Sequence, residues 1–155
     1  MYHLAQVNLA HLKAPIESEL LAGFVAKLDE INALADASPG FVWRFLMDSR
    51  DPAQRVLDDP MVIFNMSVWA DLASLHHYVY KTAHAKVFAQ RQQWFHDWAG
   101  HLASSHMALW WVKAGQIPKP ADALERVAYL LAHGASSHAF TFKRAFDTAG
   151  KAIES

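Results

Sequence analysis

Residues 18–47, SELLAGFVAKLDEINALADASPGFVWRFLM, decide the fold class. From Ser18 to about Ala37 the apolar residues Leu20, Leu21, Phe24, Val25, Leu28, Ile31 and Leu34 recur at helical spacing. Glu17 and Glu19 sit at the start, where acidic side chains favour the helix macrodipole. Ser38-Pro39-Gly40 stops the helix, because Gly suits a left-handed cap and Pro cannot continue the ladder. Phe41 to Met47 then reads as a strand. One face carries Phe41, Trp43, Phe45 and Met47, and the other carries Val42, Arg44 and Leu46.

Outward from this unit, residues 3–12 alternate loosely, with Leu4, Gln6 and Asn8 opposite Ala5, Val7 and Leu9, which predicts a first strand. Residues 48–60 are polar, carry two prolines and predict a surface connection. Met61–Trp69 is a third strand. Asp71 caps a helix that continues to Trp98 with a break near Lys81, Met107–Lys113 is a fourth strand, and Pro120 starts a last helix that Gly134 stops. Residues 139–142, AFTF, suggest a short edge strand, and 147–155 a flexible tail.

The order β-α-β-β-α-(α)-β is that of an α+β, ferredoxin-like split β-α-β unit, an antiparallel sheet with helices on one face. The strands are apolar on both faces, whereas a sheet with one wet face alternates. The expected answer is a homodimer, a dimeric α+β barrel in which a second copy covers the other face. An internal apolar pocket competes as an explanation. Residues 1–146 are expected to form one domain, with 116–146 as a C-terminal extension that closes the pocket or the dimer.

Composition narrows the function classes. The chain has 155 residues, a formal net charge of −1 and no basic run, so neither nucleic acid nor an anionic membrane is an expected partner. With no cysteine, disulfides, thiolate metal sites and a cysteine nucleophile are excluded, which suits a reducing, cytoplasmic setting. The opening MYHLAQVNLAHLKA has no secretory pattern, and the run around Leu102–Val112 is too short to span a bilayer. The load of 6 Trp and 9 Phe suits either an apolar pocket or an ordinary core.

The chemistry-bearing candidates cluster on the stretch 72–98, where His84, Val87, Phe88, Arg91, Trp94, Phe95 and Trp98 share a face by helical spacing. An imidazole and a guanidinium in an apolar stripe need polar partners. His76, Tyr80 and His84 form a polar ladder if the helix is unbroken. On the strands, Gln6 and Asn8 share one face and Asn65, Ser67 and Trp69 another, and such amides can hold a ligand carbonyl or hydroxyl or pair with one another. There is no nucleophile elbow, phosphate loop, metalloprotease motif or zinc spacing among the ten histidines.

The segments A-Q-V-N, I-N-A-L-A, S-P-G-F-V-W-R, F-N-M-S-V-W, Y-K-T-A-H, R-Q-Q-W-F, L-W-W-V-x-A-G and A-F-T-F together resemble a bacterial domain family of unknown function over about residues 3–146. That family looks like a branch of the dimeric α+β barrel superfamily, with its antibiotic-biosynthesis and haem-degrading monooxygenases. The haem-degrading resemblance puts Asn8, Trp69 and His84 near a distal Asn, a pocket Trp and an axial His, although a second Trp expected before His84 is missing, with His77 and Tyr80 nearby. The cofactor-free resemblance implies a phenolic or polycyclic substrate that itself reduces oxygen, with His84 as base. The expected function is therefore a small-molecule, monooxygenase-like enzyme using no organic cofactor, or haem. The alternative is a non-catalytic haem or small-molecule binding protein. His84, Asn8 and Tyr80 are the expected catalytic residues, and Trp69, Arg91, Trp94, Asn65, Phe88 and Trp111 the expected lining for a small apolar or aromatic molecule. His84 would be the metal ligand only if haem binds.

Overall fold

The computed structural model describes residues 1–45, 61–82, 84–90, 93–95 and 107–154. Strands β1 (Tyr2–His11), β2 (Phe41–Arg44), β3 (Val62–Trp69) and β4 (Met107–Lys113) form a 4-stranded sheet in the order β2-β3-β1-β4. Every neighbouring pair is antiparallel. With helices α1 (Ala22–Ala37), α2 (Leu72–Lys81), α3 (His84–Ala89) and α4 (Pro120–His133), the chain is α+β, and the strand order is consistent with a ferredoxin-like arrangement. The strand ends expected at Leu46 and Met47 and the helix end at Trp98 lie outside the described residues.

Strand register assigns each side chain to a face, because alternate residues point to opposite sides. Leu4, Gln6 and Asn8 face the same way as their partners Trp69, Ser67 and Asn65 on β3 and Trp111, Leu109 and Met107 on β4. We call this face A. Ala5, Val7 and Leu9 look the other way with Val68, Met66 and Phe64, and with Trp110 and Ala108, to make face B.

Face A is covered by α1 and α2. Leu4, Trp69 and Leu109 pack there with Ala35, Leu75, Tyr78 and Phe140. Arg44 fastens β2 to α1, donating from Nη1 to Asn32 O at 2.9 Å and pairing with Asp36 at 3.2 Å. Asp71 caps α2 by accepting from Ser74 N at 2.8 Å. Gly40 makes the α1–β2 turn at φ 85, where a Cβ would also collide with the side chain of Ser74.

Face B corrects the expectation that all helices lie on one side. Helix α4 packs on it, setting Ala123, Val127 and Leu130 against Ala5, Val7, Ala108 and Trp110. Pro120 at the first helical turn and the reciprocal Lys119–Asp122 cap start α4, while the 4- and 3-residue spacing of its apolar side chains makes one stripe. Trp110 is 1% exposed in a single chain, so α4 supplies cover that the sequence assigned to a second copy. The other correction concerns β2. A β-bulge between Phe41 and Trp43 turns Phe41 to face A against Trp69, while Trp43 and Phe45 go to face B, so these three aromatic residues do not share a side; Met47 lies outside the described residues.

After α4, Gly134 at φ 78 ends the helix and the chain rounds the outer edge of β4. Phe140 exchanges both backbone bonds with Leu109, at 2.8 and 2.9 Å, in place of the expected edge strand. Ala139 is buried on face B and Phe140 on face A, so adjacent residues clamp the two sides of the sheet. Residues 145–153, expected to be partly a loose tail, close a turn in which Asp147 Oδ1 accepts from Ala149 N and Lys151 N. Ile153 N donates to Ala145 O.

Candidate functional site

Along β1, face A reads Leu4, Gln6, Asn8, Ala10, Leu12. Its two ends are apolar. Leu4 belongs to the cluster under α2, and Leu12 to a second cluster with Leu21, Trp94, Phe24 and Ile63. Between them lies a polar row across the two central strands: Gln6 opposite Ser67, and Asn8 opposite Asn65.

The inner half of this row is buried and hydrogen-bonded. Gln6 and Ser67 are each 7% exposed. Trp69 Nε1 donates to Ser67 Oγ at 2.9 Å, and Gln6 Nε2 donates to Ser67 Oγ at 2.7 Å and to Asn65 Oδ1 at 3.0 Å. Burial requires such pairing, since each unsatisfied polar group costs about 1–3 kcal/mol. The outer half differs. Asn8 and Asn65 are exposed although they sit on the central strands of the helix-covered face, and among the described residues the Asn8 carboxamide and Asn65 Nδ2 have no hydrogen-bond partner. The helix layer therefore leaves a gap above them, with a polar floor and apolar ends.

His84 opens α3. The backbone break between α2 and α3 at Thr82, extended at φ −115 and ψ −176, separates it from the helix that carries His76 and Tyr80, so the three do not form one continuous ladder. The His76 and Tyr80 rings meet at 4.7 Å, tilted by 45°, and both meet Phe142 instead. The His84 ring packs on Tyr78 at 4.8 Å, and its Nδ1 lies 3.3 Å from Val79 O. A carbonyl can only accept, so Nδ1 carries the hydrogen and Nε2 the lone pair. Burial lowers the His84 pKa from 6.5, against a smaller opposing effect of the Val79 bond, and the neutral imidazole is favoured.

Tyr78, which periodicity did not nominate, connects this histidine to the floor. It stacks on Trp69 at 5.0 Å and donates to Ile31 O at 3.3 Å. Desolvation raises its pKa to about 12, with Arg44 lowering it and Asp36 raising it by lesser amounts. Contacts thus run from His84 through Tyr78, Trp69 and Ser67 to Gln6 and Asn65. The signal for Tyr78 was its place three residues after Leu75 on the buried side of α2.

The other nominated residues are dispersed. Trp69 is 1% exposed and its indole N–H is bound to Ser67, so it supports the floor from within the core. Trp94 is buried in the cluster at the far end of β1, with its carbonyl accepting from Lys13 N at 2.8 Å. Trp111 donates to Phe146 O at 2.8 Å and holds the C-terminal turn. Phe88 lies on α3, and Arg91 falls outside the described residues. A further concavity of about 420 Å³ on the C-terminal turn, between Arg144, Phe146 and Ile153, involves none of the nominated residues.

A second polar group was not legible in the sequence. Arg126 Nη1 donates to His138 O and lies 2.8 Å from His138 Nδ1, while His138 Nε2 is 2.8 Å from Glu125 Oε2. The guanidinium cannot accept, so His138 Nδ1 does, leaving its Nε2–H to Glu125. Both ring nitrogens are engaged in fastening α4 to the segment that rounds β4. Among the described residues no group of three or more His, Cys, Asp or Glu side chains could hold a metal ion, and no helix is long and apolar enough to cross a membrane.

A sheet of this order with two exposed amides on its central strands defines a class by architecture only. The model of a domain family of unknown function, DUF3291, matches residues 3–154, and the chain belongs to that family. No curated protein matches it. Two solved structures are similar: PA3566 from Pseudomonas aeruginosa, at 14% identity over 76% of this chain and 97% of that one with a TM-score of 0.49, and NE2512, a protein of unknown function from Nitrosomonas europaea, at 19% identity over 77% and 97% with a TM-score of 0.48. Neither likeness is close enough to bring a function across.

Proposed function

We propose that the chain binds a small apolar or aromatic molecule in the gap on face A and acts on it as a monooxygenase-like enzyme. The observation that carries this reading is the pair of exposed amides on the central strands of a helix-covered face, where among the described residues the Asn8 carboxamide and Asn65 Nδ2 have no hydrogen-bond partner. Few polar groups set between apolar clusters are the usual composition of a small-molecule site. His84, kept neutral with its lone pair on Nε2, is chemically a base. In this reading it removes a proton from an acidic carbon of the substrate, and amide N–H groups stabilise the resulting oxyanion. The substrate anion then supplies the electrons to dioxygen: a CH2 becomes C=O, one oxygen atom enters the product, and the other leaves as water.

A second reading, a non-catalytic protein for haem or another small molecule, is favoured by the same His84 tautomer, which is that of a haem-ligating imidazole oriented by a backbone carbonyl. Trp69 does not fit a haem pocket, because its N–H is engaged inside the core. Both readings stand for the single chain. A homodimer built on face B would place the partner against α4 over β1 and β4, rather than on those strands.

Oxygen uptake with a tricyclic phenolic ketone, alongside haemin absorbance titration, separates the readings. The enzyme reading expects uptake above the buffer rate that His84→Ala abolishes without unfolding the protein. Saturable haemin binding lost in His84→Ala, with no uptake, would transfer the chain to the binding class. Neither response would remove both.

A further inference from the structure

We infer that the site on face A takes a ligand through a hydrogen-bond acceptor, a ketone, quinone or anionic oxygen, and selects against the same ring system bearing only a donor. This rests on the reading that the gap over Asn8 and Asn65 is a small-molecule site, and adds the polarity of its floor. The donors run outward from the buried end. Trp69 Nε1 can only donate, so Ser67 Oγ accepts from it. Gln6 Nε2 gives Ser67 Oγ its second donor and directs its other hydrogen to Asn65 Oδ1. The lone pairs of Ser67 and the carbonyl of Asn65 are therefore engaged from below, and what Asn65 leaves on the exposed side is Nδ2 with two hydrogens. Gln6 is the positioning residue that keeps Asn65 turned this way, and its own burial leaves it little room to reorient.

A ligand oxygen over Asn65 thus meets N–H, and it is the groups that develop negative charge there that gain most. A ligand N–H or O–H over Asn65 would meet another donor there, and would have to turn to Asn8 Oδ1 on the neighbouring strand for an acceptor.

Three tricyclic probes of one skeleton test this by titration of the intrinsic tryptophan fluorescence: 9-fluorenone, which only accepts, fluorene, which does neither, and 9-aminofluorene, which carries donors. Fluorenone is expected to bind roughly tenfold more tightly than fluorene, the equivalent of one hydrogen bond. Asn65→Asp, which replaces the Nδ2 donor by a charged acceptor of the same shape, should remove the preference for fluorenone over fluorene. Gln6→Leu should reduce it by releasing Asn65. If fluorenone and fluorene bind alike and Asn65→Asp alters neither, the polarity assignment fails while the site survives. Tighter binding of 9-aminofluorene than of fluorenone would show the row running the opposite way and would also overturn it. If no probe binds, the small-molecule reading itself falls. Unfolding curves for both variants establish that the proteins compared are folded.

Discussion

On face B, β1 contributes Ala5, Val7 and Leu9; on face A the same strand contributes Leu4, Gln6 and Asn8. Helices lie over both, yet they do different things. The strand positions packed with α4 are apolar, and Ala5, Val7, Ala108 and Trp110 are at most 1% exposed. Under α1 and α2 a buried polar row interrupts the packing and ends in two exposed amides. Dry close packing is the cheapest way to stabilise a sheet, whereas buried amides must be satisfied one by one. In the proposed function the side that keeps the second arrangement is the one that meets the ligand, and the other holds the fold.

The largest expected effect comes from breaking the dry side. Trp110→Ala removes a side chain that is 1% exposed, packed under α4, with the Arg126 guanidinium 5.9 Å from the ring centroid. A loss of about 3–5 kcal/mol is expected by analogy with other buried aromatic truncations. Urea unfolding measures it. A loss below about 1 kcal/mol would mean that α4 and face B are not one packed unit.

Gln6→Leu asks the same question of the other side with a much smaller stability effect. It removes two hydrogen bonds but also a buried amide, so the net loss is expected at about 1 kcal/mol or less. Its signature is instead the reduced discrimination between fluorenone and fluorene. A large drop in stability with probe selectivity intact would reverse the division of labour between the faces.

This division was partly legible from residues alone. The helix 18–37, its Ser38-Pro39-Gly40 stop and the strand Met107–Lys113 stand where periodicity and turn chemistry put them, because each is fixed by local rules. The apolar character of both strand faces was also plain, and it correctly implied two covers. What covers the second face was not, since any apolar stripe satisfies an apolar sheet, and only the path of residues 114–119 decides that it is α4 of the same chain. The bulge at Val42 was equally hidden: it inserts no unusual residue, and it moves Phe41 across the sheet. For the site, Gln6, Asn8, Asn65 and Ser67 were visible as polar positions in apolar strands, but their junction requires the β1–β3 register, which pairs residues 59 and 61 apart. Tyr78 was missed because its spacing from Leu75 signals only a buried helix position, and says nothing of the Trp69 ring it stacks on or the His84 ring it meets. Tyr80, Trp94 and Trp111 were plausible by composition, yet they pack in other parts of the chain.

The finest distinction concerns His84, a histidine under the face A helices whose burial opposes its charge. Its folded pKa lies below 6.5, so between that value and 6.5 the unfolded chain binds more protons than the folded one. Stability from this group is complete above 6.5 and is lost progressively as pH falls toward the folded pKa, with no further change below it. His84→Gln keeps a polar side chain and removes the titration. The informative quantity is the difference between wild-type and His84→Gln unfolding free energies as a function of pH. That difference should favour the variant increasingly as pH drops below 6.5, and be flat above it. In the same window a catalytic His84 stays unprotonated to lower pH than a free imidazole, placing the acid limb of kcat/KM below 6.5. A difference curve of opposite slope would mean that the folded state stabilises the imidazolium, and His84 would then be a poor base at neutral pH.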